Sequence, residues 1–208
     1  MTRQEKLSLS VAALICIGFT QHLYHTAGWL PTIIIGFGAL TLGLVLWLKT
    51  SFYYPTDPNR LLPPYLLTAG LLMLHIAEEY AFDFGNRIAG ITEGIWSTEM
   101  FLWSLGLGFP LVWISGGIAI AKRHPFGGFA SCFLFCGMLL GEPTHLLIFP
   151  IREMLIHGGH YDYFPGMWTA LMPLVSGLWG LVVIIQDSRP QKLGAATEDL
   201  KEAETQTP

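Results

Sequence analysis

Three ionisable side chains fall within five residues at the end of an apolar run. The segment Leu66-Leu67-Thr68-Ala69-Gly70-Leu71-Leu72-Met73-Leu74 leads directly into His75-Ile76-Ala77-Glu78-Glu79. His75 and Glu78 are spaced i,i+3, and His75 and Glu79 i,i+4, so on a helix all three lie on neighbouring ridges of one face. Glu142-Pro143-Thr144-His145 repeats the logic as a Glu-x-x-His pair in a second apolar run. Imidazole and carboxylate together suit iron, manganese or zinc. A Glu-x-x-His pair projecting inward from a bundle helix is also how di-iron carboxylate proteins supply ligands. The spacing therefore predicts a centre of one or two transition-metal ions. Its ligands come from His75, Glu79, Glu142 and His145, completed by His157 or His160 of a later His-Gly-Gly-His stretch. Glu78, Glu79 and His160 are the candidates for proton transfer. Without a metal, the same groups form an acid/base site, or simply neutralise one another by hydrogen bonding.

The elements that must position these groups are membrane helices. Of 208 residues, 52% are hydrophobic and 12% charged, against about a quarter charged in soluble domains. Six apolar segments, approximately 7–23, 32–49, 65–84, 99–121, 128–149 and 165–186, each approach the ~20 residues a span requires. Pro31, Pro63, Pro64, Pro125, Pro150 and Pro165 punctuate them. The fold class expected is an all-α polytopic membrane bundle of six helices in one domain, residues 1–186. The polar stretch 187–208 is expected to be a disordered cytoplasmic tail. Arg3 and Lys6 ahead of the first run read as the flank of a retained first helix rather than of a cleaved signal.

Charge segregates with this division. Arg3, Lys6, Lys49, Arg60, Lys122, Arg123, Arg189, Lys192 and Lys201 share one side, while Arg87 and Arg152 fall on the other. The positive-inside rule then places both termini in the cytoplasm. On that topology His22, His25, His75, His145, His157 and His160 are all outer, and His124 alone is inner. The polar site is thus expected in the outer half of the bilayer, built by spans 3, 5 and 6. An ionisable group in hydrocarbon is costly and marks function by default. No basic stripe suggests nucleic acid. Cys16, Cys132 and Cys136 lie in apolar runs and read as small buried hydrophobes. His22 and His25, beside Tyr24 and Trp29, read as an interfacial pair, and Tyr161 as an interfacial anchor. Pro143 is expected to kink its helix around a pocket. Gly158 and Gly159 permit a loop folded over the outer mouth, with Asp162 available to orient a histidine.

His75-Ile76-Ala77-Glu78-Glu79-Tyr80, followed by Asn86-Arg87 and later by Tyr163-Phe164-Pro165-Gly166, resembles the HXXEE-domain family of small bacterial membrane proteins. The resemblance spans roughly residues 62–183. It implies a shared polar site in a bacterial inner-membrane protein, with His145 and His157 or His160 among its members. The chain departs from that pattern at Gly141, where the family carries Asn. A more distant similarity is to sterol isomerases, which place His and Glu on facing membrane helices for metal-free proton transfer.

The function expected is an enzyme acting on a lipophilic substrate in the bilayer. A proton or metal transporter and an accessory membrane subunit are the rivals. Six spans without an internal repeat are atypical of secondary transporters.

Overall fold

A computed structural model describes residues 1–205, with side chains described through Ser188. Every regular element is helical, and six helices are long and apolar enough to cross a membrane. α1 (Arg3–Thr26), α2 (Trp29–Lys49), α3 (Pro58–Ala81), α5 (Thr98–Ala121) and α8 (Leu171–Thr205) each supply one such stretch. The remaining one, Pro125–His157, is broken into α6 (Pro125–Leu146) and α7 (Ile148–His157). A short α4 (Phe84–Thr92) lies between α3 and α5.

The boundaries differ from the sequence expectation where local chemistry overrides proline as a stop signal. α1 starts early because Thr2 and Glu5 close a reciprocal capping box. α3 starts at Pro58, with Asp57 accepting from the Asn59 N–H. Pro63 and Pro64 are carried inside its first two turns. α6 and α7 meet at Leu147, four residues after Pro143. Pro150 lies inside α7 and has no N–H for the Leu146 carbonyl, so the Tyr161 hydroxyl donates to that oxygen instead, at 2.5 Å. Tyr161 is thus more than an interfacial anchor. α8 begins at Leu171 rather than at 165, because residues 165–170 form turns around Glu78. The backbone of α8 continues to Thr205, where an unstructured tail was expected from residue 187. Ala195, Ala196, Leu200, Lys201 and Glu202 are good helix formers and account for the continuation.

α6 is the central rod. Most of its residues are buried, including Cys132 and Cys136 as expected, and it packs on α1, α2, α5 and α8. Close approach is set by glycine: a Cβ on Gly43 of α2 would stand 2.9 Å from the Phe133 Cα of α6, and one on Gly127 would stand 2.5 Å from the Ile120 N of α5. Small residues at such crossings are what lets membrane helices gain van der Waals contact. α8 then packs along both α3 and α6, closing a three-helix wedge. At the end remote from His75, Arg60 Nη1 donates to Asp187 at 2.6 Å, and Asp187 also accepts from the Asp57 N–H at 2.9 Å. This ties the start of α3 to α8.

Both α2 and α5 contain π-helical stretches, Thr32–Leu40 and Leu102–Gly108. Such widened turns recur at functional sites, and both of these border the cavity described next.

Candidate metal centre

α3 and α6 bring their His/Glu pairs together at the end that also carries α4 and the 158–170 loop. His75, Glu79, Glu142 and His145 are all buried, none more than 6% exposed. The His75 Nε2 lies 3.7 Å from Glu79 Oε1 and 3.2 Å from Glu142 Oε2, and the His145 Nε2 lies 3.4 Å from Glu79 Oε1. One donor atom each from His75, Glu79 and His145 falls within 4.8 Å of the others. Most of these separations exceed the ~2.7–3.2 Å of a hydrogen bond. They match donors held tetrahedrally at ~2.1 Å around one ion, which stand roughly 3.4 Å apart.

Tautomers follow from what the other ring nitrogens do. The His145 Nδ1 is 2.8 Å from the Pro165 carbonyl, an acceptor, so Nδ1 carries the proton and Nε2 presents its lone pair to Glu79. The His75 Nδ1 is 3.0 Å from Thr169 Oγ1, whose own proton goes to Glu78 Oε2 at 2.5 Å. His75 Nδ1–H therefore donates, and its Nε2 lone pair also faces the carboxylates. A metal-ligating histidine whose second nitrogen is fixed by a carboxylate or carbonyl has this arrangement.

Glu78 was a candidate proton carrier in the sequence, and the structure gives it other work. Its Oε1 accepts from the Tyr163 hydroxyl (2.8 Å) and from the N–H groups of Gly166 (3.2 Å) and Trp168 (3.1 Å). Its Oε2 accepts from Thr169 N (2.9 Å) and Thr169 Oγ1. Five donors on one carboxyl suit the acceptor-only, ionised form. Glu78 thus holds residues 163–169 in place, and through Thr169 it orients His75. Partial burial and the bond to Glu78 push the Tyr163 phenol above its ordinary pKa, so it stays a donor at physiological pH. Replacing Thr169 by Val should lower metal affinity roughly 10–100-fold, as loss of such an orienting partner typically does. Thr169→Ser should restore it, with both variants read by metal titration.

Gly166 explains the Pro-Gly at this turn. Its φ is +92°, and a Cβ there would meet His145 Nδ1 at 2.5 Å and His75 Cε1 at 2.7 Å. The turn backbone packs directly on both imidazoles, so a hydrogen is the largest group that fits. Phe84, at the start of α4, covers the same ring of His145 at 5.2 Å between centroids, and Phe149 packs on it edge-on. Arg87 pairs with Glu153 of α7 and lies over the Phe164 ring at 5.0 Å, bracing α4 against the loop. Beside it Asn86 and Thr98 donate to Asp83, which holds that carboxyl below its ordinary pKa. None of α4 was anticipated. Its signal was there in the apolar spacing of Phe84, Ile88 and Ile91, all now buried.

His157 and His160 are not brought to the centre. His157 ends α7 and His160 lies on the loop beyond it; both are exposed and the donor group contains neither, so their expected role as ligands, and that of His160 in proton transfer, is not supported by the geometry. The glycines at 158 and 159, with φ of +74° and +105°, lie in a segment exposed from Leu155 to Asp162. Asp162 spends one oxygen on the Tyr163 N–H and orients no histidine. His22 bonds Ser104 at 3.0 Å, away from the cluster, consistent with its reading outside the ligand set.

The cluster forms one wall of a partly open cavity of about 120 Å³. Apart from these four residues and Thr144, side chains such as Leu72, Ile76, Phe109, Trp113, Phe133 and Met138 line it. Two buried carboxyls face this space, and among the described residues no Lys or Arg pairs with either. Among the described residues the Glu142 Oε2 has no hydrogen-bond partner, since the His75 Nε2 3.2 Å away presents a lone pair. Buried carboxylates without compensation cost several kcal/mol each, so the site needs a cation or protons. Compared with known proteins, the chain matches no family model, no curated protein and no solved structure.

Proposed function

We propose that this protein is a membrane-embedded, metal-dependent enzyme acting on a lipophilic substrate. The observation that carries the reading is the meeting of two imidazole lone pairs and two uncompensated carboxyls at the wall of an apolar cavity. His75, His145 and Glu79 form a two-histidine, one-carboxylate set, which suits zinc or non-haem iron, and Glu142 supplies a further ligand or a base. A bound ion there would act as a Lewis acid or activate a water or oxygen ligand. The protein's own contribution is rigid ligand placement through Pro165, Thr169 and Glu78, and exclusion of bulk water by Phe84, Phe149 and Phe164.

The metal reading is favoured over metal-free proton transfer of the sterol isomerase kind by the spacing. Carboxyls sharing protons with imidazoles would close to ordinary hydrogen-bond lengths, while two of the three pairs stand at 3.4 and 3.7 Å. The segregation of Lys and Arg supports termini in the cytoplasm and a centre near the outer surface, and a bacterial inner membrane is proposed on the family resemblance alone. The resemblance to the HXXEE-domain family rests on the sequence motifs alone; in this chain the motif residues Tyr163 and Gly166 are both hydrogen-bonded to Glu78.

Elemental analysis of protein purified in mild detergent without chelators tests the reading. Stoichiometric iron, manganese or zinc is expected in the parent and its loss in His75→Ala/Glu142→Ala. A parent free of metal, and unable to take up any of the three on titration, would overturn it. Lipid profiles of membranes containing the parent or the double variant then report the substrate.

A further inference from the structure

The cavity reaches the outer face of the bundle beside α1 and α5. α1 packs along α2 and α6. Towards α5 the described residues join it chiefly through two side-chain pairs. Phe19 and Phe109 meet at 4.8 Å between ring centroids, and His22 Nε2 lies 3.0 Å from Ser104 Oγ. Phe19 and Phe109 both line the cavity and are half-buried, so this aromatic pair stands where the cavity meets the outer face of the helices. The α5 side of the seam is the π-helical stretch Leu102–Gly108. No residue of that stretch is buried, although Leu105 lines the cavity. On the opposite side the π-helical stretch of α2 contributes Ile34 and Ile35. A seam with few contacts and a widened helix has low local stability, and elements that move are drawn from such segments.

The cavity's size restricts what enters. At about 120 Å³, it resembles the ~150 Å³ apolar cavity that holds a single benzene. It falls well below the roughly 300–1,000 Å³ of pockets for drug-sized, multi-ring ligands. About six carbons of an unbranched chain, as many as benzene has, fit such a space with the rest of the chain outside it, and a fused-ring sterol does not. The polar pair His22–Ser104 sits at the same end of the seam as the α1–α2 turn, whose Ala27 carbonyl accepts from Thr92 of α4. A chain entering beneath that pair keeps its polar head at the membrane surface.

We propose that the seam between α1 and α5 is a lateral portal through which one acyl chain of a membrane lipid reaches the His/Glu centre, with Phe19 and Phe109 as its gate. This names the substrate class of the enzyme proposed above and rests on that reading for its chemistry, but the portal is tested without it.

The full chain is reconstituted in phosphatidylcholine vesicles containing a phospholipid with a mid-chain diazirine, or in parallel a diazirine sterol. After irradiation, labelled residues are mapped by peptide mass spectrometry, and metal content is measured on the same samples. Leu111 and Ile114, 68% and 61% exposed on the outside of α5, give the lipid-facing reference. The acyl probe should label Phe133 and Leu134, buried inside, as well as this reference. Leu105→Trp, which enlarges a cavity-lining residue of the portal outside the donor set, should lower the interior labelling roughly tenfold, equivalent to ~1.4 kcal/mol of occupancy, with metal content unchanged. Interior residues left unlabelled in a metal-loaded parent overturn the portal while the metal reading stands. Interior labelling that survives Leu105→Trp overturns the seam as the route. A sterol probe that labels the interior as strongly as the acyl probe overturns the single-chain class. Acyl labelling of the interior in a protein that binds no metal keeps the portal and removes the function built on it.

Discussion

Glu79→Gln should empty the metal site while leaving the apoprotein folded. Glu79 is the one residue whose carboxyl stands between both imidazoles, 3.7 Å from His75 and 3.4 Å from His145. Four-ligand zinc sites bind with roughly 10–16 kcal/mol, or about 2.5–4 kcal/mol for each ligand. Losing this ligand should therefore weaken binding on the order of 10²–10³-fold. The apoprotein responds in the opposite sense. A carboxamide is neutral, so the uncompensated burial of a carboxyl between Glu78, Glu142 and two imidazoles that offer no proton is relieved. Its NH₂ can donate to an Nε2 lone pair.

Melting in chelator should thus occur at the parent's temperature or above it, and metal should raise the melting temperature of the parent but not of the variant. Were the cluster a set of ion pairs serving packing alone, removing one partner would instead cost about 3–5 kcal/mol, and the variant would melt well below the parent in chelator. Isothermal titration with zinc and thermal melts with and without chelator separate the two outcomes.

Gly166→Ala should do the converse, damaging fold and site together. The residue has φ +92°, and the added methyl would fall 2.5 Å from His145 Nδ1 and 2.7 Å from His75 Cε1. Left-handed or similar backbone costs an L-residue roughly 1–2 kcal/mol, and overpacking a rigid site costs another 1–3 kcal/mol. Relief requires residues 165–169 to retreat. That retreat breaks the Pro165 carbonyl bond to His145 and strips Glu78 of its backbone donors. A loss of ~3 kcal/mol in stability, with metal no longer retained through purification, is the expected result. Gly158→Ala is the internal control. Its φ is +74°, but nothing lies within 4 Å of the added carbon, so it meets the backbone strain without the clash. Metal retention should then match the parent. Loss of metal in Gly158→Ala would show that loop order, rather than the Gly166 contact, governs the site.

Much of this arrangement was already written in the order of residues. Long apolar runs with few charges force helices in a membrane, because the backbone must satisfy itself where water is absent, and all six were legible. Spacing alone put His75 with Glu79 and Glu142 with His145, since the helical repeat fixes which side chains share a face. That these two pairs belong to one centre was inferred from depth, and the structure brings them together. Ends were less legible. Proline reads as a stop in sequence, yet Pro63, Pro64 and Pro150 lie inside helices, where the first turns tolerate it or a tyrosine hydroxyl takes up the freed carbonyl.

What only the tertiary structure decided is the division of labour. Glu78 and Glu79 are adjacent and chemically alike. One is spent entirely on the 163–169 turn and the other faces the cavity, because consecutive helical residues point about 100° apart and meet different neighbours. His157 and His160 carry the same donor atoms as His75 and His145 but stand in solvent. The conformation of an exposed glycine turn is set by long-range packing, not by its own composition. Local sequence determines which groups share a helix face. Which of those faces close on one another, and which ligands are left without protons, depends on contacts between residues nearly ninety positions apart, such as Glu78 with Gly166, Trp168 and Thr169.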